Sequence, residues 1–331
     1  MTDHDALRDQ LASYAESKLD GFVEIDALAP LQGGASRELW AFDAVLANGR
    51  LPLVLRRDPP GSDDPAGRER EYQVLRAAHR AGVAVAEPFW FALLGGAAGI
   101  VMRRLEGEAI ARRILRDERY EGARTRLVEQ VARAAATTHA ISLDELELFE
   151  QPSGPPAEAA IGQLEGELDR IGEPHPALEL GLRWLRRNLP QPRPQKLVHG
   201  DLRLGNLLVD EAGLVGVLDW ELAHAGDPVE DLGWLCIRSW RFGADALPAA
   251  GCGTRDELLA AYAAASGTEV SRDELRFWEV LGNARWGVIC MAQADIHLSG
   301  SRRSLEHAAI GRRTCEPEWD LLAMIADPVG A

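Results

Sequence analysis

The amino-acid sequence predicts an α+β protein with two lobes, a small β-rich one followed by a larger, mostly helical one. Three observations carry that expectation. Strand-like apolar runs crowd the first hundred residues, with a helical run at the start and another among them. Helical periodicity dominates the last two hundred. The change falls near residues 103–107, so the first lobe is expected over 1–104 and the second over 105–331. A chain of 331 residues can build both, with a ligand cleft between them.

In chain order, Leu7, Leu11 and Ala15 share one face of a helix over residues 6–19. Strands follow at 23–31, 37–46 and 51–57, and Asn48-Gly49 is a two-residue hairpin signal between the last two. The run DPPGSDDPAG (58–67) is a loop by its proline and glycine content, and the helix after it stops at Gly82. Strands PFWFALL and GIVMRRL flank Gly95-Gly96. A helix from Tyr120 to Ile141 carries Leu127, Val131, Ala134 and Thr138 along one face. A Pro- and Glu-rich region (151–176) precedes a helix around Leu182 to Asn188; its Glu-rich stretch, 158–167, reads as a solvated face.

The bulk numbers exclude several classes. A net charge of -16 argues against a nucleic-acid backbone or an anionic membrane surface as the main partner. It is compatible with a cationic small substrate, but an acidic surface kept soluble by its charge is the better explanation. Cys236, Cys252, Cys290 and Cys315 show no C-x-x-C or other ligand spacing, so neither zinc nor a disulfide framework is indicated. The N-terminal MTDHDALRDQ is acidic and polar, unlike a secretory signal, and no apolar run is long enough to span a bilayer. The chain reads as soluble and cytoplasmic.

The chemistry concentrates in LVHGDLRLGNLLVD, residues 197–210. Asp201 and, five residues on, Asn206 sit in a short loop between two apolar runs. Each alone could simply cap a turn. The next segment changes the weighing: Leu207 to Val209 and Leu214 to Leu218 read as a hairpin closed by 210–213. Folding back there is expected to bring Asp219 alongside Asn206, with Asp201 nearby. Two carboxylates and a carboxamide are hard-oxygen ligands suited to magnesium bound with phosphates, and a carboxylate can orient and deprotonate an attacking hydroxyl.

His199-Gly200-Asp201 with Asn206, followed by Leu218-Asp219-Trp220, resembles the catalytic core of the aminoglycoside phosphotransferase and choline kinase-like family, distant relatives of the protein kinases. The resemblance implies a protein-kinase-like two-lobed fold and an ATP- and Mg2+-dependent kinase. Asp201 would be the catalytic base, Asn206 and Asp219 the magnesium ligands, and His199 a brace for the loop. Gly226-Asp227-Pro228 with Asp231-Leu232 matches the family's segment that holds the loop in place. In the small lobe, Gly33, Gly34 and Ser36 of the Gly-Gly-Ala-Ser turn could lay backbone N–H groups over phosphates. Arg56 aligns with the family's phosphate-binding lysine, a departure that still pairs with phosphate, with a different geometry. Its partner would be Glu71, which shares a helix face with Leu75 and Ala78. Residues Met102 to Glu106, with Met102 and Arg104 offered to adenine, resemble the hinge.

The likeness covers roughly residues 25–300 and is strongest over 197–235. Only seven residues separate Asp219 from Asp227, which leaves no room for a peptide-docking segment and favours a small-molecule hydroxyl as acceptor. LVLRRDPPG and DWELAHAGDPVEDLGW look most like the kinase domains fused to acyl-CoA dehydrogenases, which implies a hydroxyacyl-type metabolite more than an antibiotic.

Six of nine tryptophans lie at or after position 220 and read mostly as core. His139, His224 and His297 have no partners at metal spacing and read as structural or surface residues. Two competing classes remain. A nucleotide-binding protein without turnover is supported by the Arg56 departure alone. A metal-dependent hydrolase built on His199 and Asp201 lacks further histidines at metal spacing.

Overall fold

A computed structural model of the chain describes residues 3–31, 37–59, 64–146, 149 and 153–326. The small lobe consists of helix α1 (Asp3–Lys18), strands β1 (Phe22–Pro30), β2 (Glu38–Leu46) and β3 (Gly49–Arg57), helix α2 (Pro65–Arg80), and strands β4 (Pro88–Leu94) and β5 (Ala97–Arg103). The strands form one antiparallel sheet in the order β1-β2-β3-β5-β4. Alternation along a strand puts neighbours on opposite faces. Val101 therefore joins Leu7, Leu11 and Ala15 of α1 in one apolar cluster. Ile100 packs on the other side with Val74, Leu75 and Ala78 of α2.

Local chemistry fixes the element ends. Asp64 caps α2 by accepting from the Gly67 N–H, Pro65 opens the helix, and Gly82 follows it at φ 83°. Gly95 and Gly96, both at positive φ, supply the two-residue turn between β4 and β5. The β2–β3 hairpin turns one residue earlier than its sequence signal. Leu46 pairs with Gly49, so Ala47 and Asn48 form the turn at negative φ, and Gly49 alone takes the positive value, 152°.

The large lobe contains helices α3 (Ala111–Arg116), α4 (Glu121–His139), α5 (Pro156–Ile171) and α6 (Pro176–Arg187), then strands β6 (Lys196–Val198), β7 (Leu207–Asp210), β8 (Gly213–Val217) and β9 (His224–Gly226). Helices α7 (Val229–Cys236), α8 (Arg255–Ser266), α9 (Arg272–Leu298), α10 (Leu305–Gly311) and α11 (Cys315–Ala326) complete it. Buried Leu127, Val131, Leu258, Trp278 and Val288 belong to its core. The Pro- and Glu-rich region resolves into α5. Pro156 sits in its first turn, where a missing N–H costs nothing, and Gly172 ends it at φ 73°. Ile161 and Leu164 face the core while Glu158 is exposed.

Four of the six late tryptophans, Trp220, Trp234, Trp240 and Trp278, are buried, and Trp319 is 70% exposed. The four cysteines are free thiols. No helix among the described residues is long and apolar enough to cross a membrane. Two short antiparallel pairs, β6 with β9 and β7 with β8, frame the loop that carries Asp201.

Candidate active site

The loop leaves β6 through His199 and Gly200, the latter at φ 77°. A Cβ on Gly200 would lie 2.4 Å from the Leu222 carbonyl oxygen, so only glycine fits there. The loop hangs on one fully buried carboxylate. Asp231, in the first turn of α7, accepts from the N–H groups of His199 (2.8 Å) and Gly200 (2.9 Å) and from His139 Nε2 (3.0 Å). His139 Nδ1 lies 2.9 Å from the Tyr262 hydroxyl. Burial pushes the Asp231 carboxyl up, but the His139 hydrogen bond first, then the imidazoles of His139 and His199 beside it and the His199 main-chain N–H, outweigh it and lower its pKa. His199 braces the far side: its Nδ1 accepts from Asp201 N at 3.1 Å and its Nε2 lies 2.9 Å from the Leu218 carbonyl. Those partners assign the Nε2–H tautomer.

Asp201 is held at both oxygens. Trp234 Nε1 donates to Oδ1 at 2.7 Å, Asn206 Nδ2 donates to Oδ2 at 2.7 Å, and Arg203 Nε lies 3.0 and 3.1 Å from the two. Asn206 Nδ2 also reaches the Asp201 carbonyl, 2.9 Å away. With its amide nitrogen committed to Asp201, Asn206 keeps a side-chain oxygen that accepts no hydrogen bond among the described residues.

The hairpin register differs by one residue from the sequence expectation. Counted from the Asp210–Gly213 turn, the ladder would set Asn206 opposite Val217. A bulge near Leu208 and Val209 adds one residue to β8 and brings Leu218 there, whose N–H bonds the Asn206 carbonyl, one residue short of Asp219. Asp219 is thus the first residue off the ladder. It adopts the left-handed conformation, φ 66° and ψ 64°, and its carboxylate faces the small lobe.

There it meets an arginine cluster. Arg56 Nη2 lies 3.2 Å from Asp219 Oδ1 and 2.5 Å from Glu71 Oε1, the second contact an ion pair off the hydrogen-bond axis. Glu71 is buried, as its helix face implies. Arg37 reaches Asp58 at 3.1 Å, Glu71 and Asp219 at 3.8 Å each, and Glu221. Arg68 reaches Asp58 at 3.2 Å, Glu71, and Glu221 at 3.9 Å. Three guanidinium groups thus face four carboxylates, an excess of one negative charge. Burial raises the carboxyl pKa of Asp58, Glu71 and Glu221, in Glu221 with help from the Asp219 charge. A cation would relieve this cluster.

Among the described residues no three His, Cys, Asp or Glu side chains form a metal cage. One carboxylate, Asp219, and one free carboxamide oxygen, on Asn206, instead fit an ion that carries most of its ligands with it, as magnesium does on phosphates. Met102 lies in β5 between β3 and β4. Arg104 donates its main-chain N–H to Pro52 O at 3.0 Å, so that N–H is not open to a base edge. Beyond it, Glu108 and Val209 exchange two main-chain hydrogen bonds, tying the crossover between the lobes to the β7–β8 hairpin. Gly33, Gly34 and Ser36 lie outside the described residues.

Sequence reasoning missed Arg37, Arg68, Arg203, Glu221 and Trp234, and it left His139 without a task. Trp234 had a signal: it lies three residues after Asp231 on one helix, hence on the same face.

The model of the phosphotransferase enzyme family matches residues 27–278. The chain is 26% identical over 302 residues to acyl-CoA dehydrogenase family member 11 of Rattus norvegicus, covering 82% of this chain and 37% of that protein. It is 31% identical over 208 residues to acyl-CoA dehydrogenase family member 10 of Mus musculus, covering 56% of this chain and 18% of that protein. It therefore spans well under half the length of these relatives. Among solved structures, a provisionally assigned aminoglycoside phosphotransferase from Ralstonia eutropha matches with a TM-score of 0.75 at 23% identity, covering 95% of this chain and 97% of that one. The GDP complex of aminoglycoside 2'-phosphotransferase-IIIa matches with a TM-score of 0.66 at 15% identity, covering 95% and 99%. Those likenesses establish the two-lobed kinase-like fold, and the match over residues 27–278 establishes the lineage: this chain belongs to the phosphotransferase enzyme family.

Proposed function

We propose that this protein is an ATP- and Mg2+-dependent O-phosphotransferase acting on a hydroxyl of a small molecule. The observation that carries this reading is the loop that ties Asp201 to Asn206 and, through the Leu218 N–H on the Asn206 carbonyl, leads directly into Asp219, which faces the Arg56–Glu71 pair. Residues 1–104 hold the nucleotide and 105–331 hold the catalytic loop and the acceptor. Asn206 and Asp219 hold the magnesium, which neutralises charge on the phosphates. Arg56, oriented by Glu71, binds phosphate oxygens, and the main chain from Met102 to the Arg104 carbonyl borders the adenine. Gly33, Gly34 and Ser36 are assigned to the phosphates from the sequence.

The acceptor oxygen approaches Asp201, gives up its proton to the carboxylate and bonds to the γ-phosphorus as the bond to the ADP oxygen breaks. Positioning and charge neutralisation supply most of the rate. The pairing of Arg56 with Glu71 at 2.5 Å weakens the case for a protein without turnover. The dehydrogenase-linked relatives favour a hydroxyacyl-type acceptor over an aminoglycoside.

The test is ADP release across a panel of hydroxy acids, their acyl derivatives, sugars and antibiotics. Asp201→Asn is expected to lower kcat by about 10²–10⁴-fold with nucleotide affinity kept. Normal turnover by that variant would refute the mechanism. Asp219→Ala is expected to lose magnesium-dependent ATP binding, and tight binding by it would refute the metal assignment.

A further inference from the structure

Trp234 lies outside the motif, yet its indole N–H reaches the carboxylate on which the proposed reaction turns, 2.7 Å from Asp201 Oδ1. The ring is buried and clamped. The Arg285 guanidinium lies over it with 4.8 Å to the centroid, and the Trp240 ring meets it at 5.3 Å. On the α9 side, a Cβ on Gly282 would come within 3.4 Å of its Cε3. Helix α7 itself is pressed onto α9, since a Cβ on Gly233 would lie 2.5 Å from that of Trp278. The indole has no room to slide.

An ionised carboxylate offers about four lone-pair directions. Trp234 takes one on Oδ1 and Asn206 takes one on Oδ2. Arg203 Nε sits almost evenly between the oxygens, at 3.0 and 3.1 Å, so it draws the carboxylate inward without fixing its twist. The twist is set by the two outer donors, and of these the indole is the one locked by aromatic and glycine contacts. We propose that Trp234 is a positioning residue for phosphoryl transfer: its N–H fixes the rotation at which the Asp201 carboxylate is presented to the acceptor hydroxyl. The inference rests on the reading of Asp201 as the base.

Trp234→Phe keeps an aromatic ring against Arg285 and Trp240 and removes only the donor. The full chain is assayed with MgATP, water serving as the acceptor, by ADP release, together with MgADP affinity by calorimetry. Turnover is expected to fall by about tenfold to a hundredfold, the scale of a misplaced catalytic group, with MgADP affinity and Tm nearly unchanged. The second readout is the proton resonance of the Trp234 indole N–H, assigned by its loss in Trp234→Phe. It is expected well downfield in the wild type and further upfield in Asp201→Asn, where the charged acceptor is gone.

Should Trp234→Phe fold poorly, Trp240→Leu removes the ring packed on Trp234 at 5.3 Å with the Trp234 N–H kept, and both turnover and the resonance are expected to move. Turnover of Trp234→Phe within about twofold of wild type overturns the inference, as does a resonance indifferent to Asp201→Asn. Equal ADP release by wild type and Asp201→Asn would overturn the base assignment, and the inference with it. That failure is recognisable because the resonance would still report the contact.

Discussion

On the catalytic-loop wall of the cleft, one buried carboxylate, Asp231, receives main-chain N–H groups and a buried histidine, and every donor is short and fixed in place. On the small-lobe wall, Arg37, Arg56 and Arg68 reach Asp58, Glu71, Asp219 and Glu221 through long side chains, with each arginine touching more than one acid. The first arrangement admits a single geometry, because an unpaired buried N–H is costly. The second can trade partners at small cost, since guanidinium and carboxylate groups remain available to one another. The difference matches the two tasks proposed for the walls: a base must not move, whereas a phosphate site must exchange its internal ion pairs for those of an incoming nucleotide.

The comparison is broken most decisively at Asp231. Asp231→Ala strands the His199 and Gly200 N–H groups and is expected to destabilise the fold by about 3–5 kcal/mol by urea denaturation, the cost of opening a buried charged network. A loss below about 1 kcal/mol would show that the loop is held by something else. The sign of its pH dependence follows from the lowered pKa. Asp231 contributes in full above 3.8 and loses its contribution as pH falls through its folded value, so the variant should show a shallower acid limb of stability.

Next in size is Arg56→Met, expected to weaken MgATP binding by about tenfold or more, one charge-assisted contact, with little change in kcat. A kcat-only effect would move Arg56 from binding to chemistry. Arg37→Ala, which leaves Asp58, Glu71, Asp219 and Glu221 to Arg56 and Arg68, is expected to cost about 1–3 kcal/mol in stability by urea denaturation, since the cluster is buried and loses one cation. A loss below about 0.5 kcal/mol would show that the two remaining arginines take over its partners.

The smallest effect concerns His224 at the edge of the loop. Burial pulls its pKa down, but the charge and hydrogen bond of Glu230 and the Leu222 carbonyl lift it to about 9 against the opposing charge of Arg285. A raised histidine pKa contributes stability in full below 6.5 that is lost as pH rises toward 9. With 42% of the side chain open to solvent, screening holds the change to about 1 kcal/mol. Glu230→Gln should flatten that part of the profile, and an unchanged slope would locate the effect elsewhere.

Much of the site was legible because it is local. Asp201, Asn206 and Asp219 lie within one loop and one tight hairpin, so spacing and turn chemistry bring them together. The one-residue error in register lies in the hairpin count: the turn alone would stop at Val217, a bulge advances the ladder to Leu218, and nothing in the local sequence marks how far it advances. The β2–β3 turn slipped for a related reason: Asn48-Gly49 announces a hairpin without saying which residue takes positive φ. Glu71 was readable from its helix face. Arg37 and His139 were not, because Glu221 and Asp231 lie 184 and 92 residues from them, at separations no local pattern encodes. Arg68, by contrast, stands three residues before Glu71 on one helix, a pairing the sequence did carry.

Gly200 has a further consequence. Its missing side chain lets the catalytic loop rest on the main chain of the turn that follows Asp219, 2.4 Å from where a methyl group would start. The gap between the proposed base and the proposed metal ligand is thereby gauged by peptide against peptide. A gauge made of backbone does not wear as side chains drift. It depends on no side chain of its own yet refuses one methyl group, so a mutational scan should find Gly200 as intolerant of alanine as Asp201 beside it.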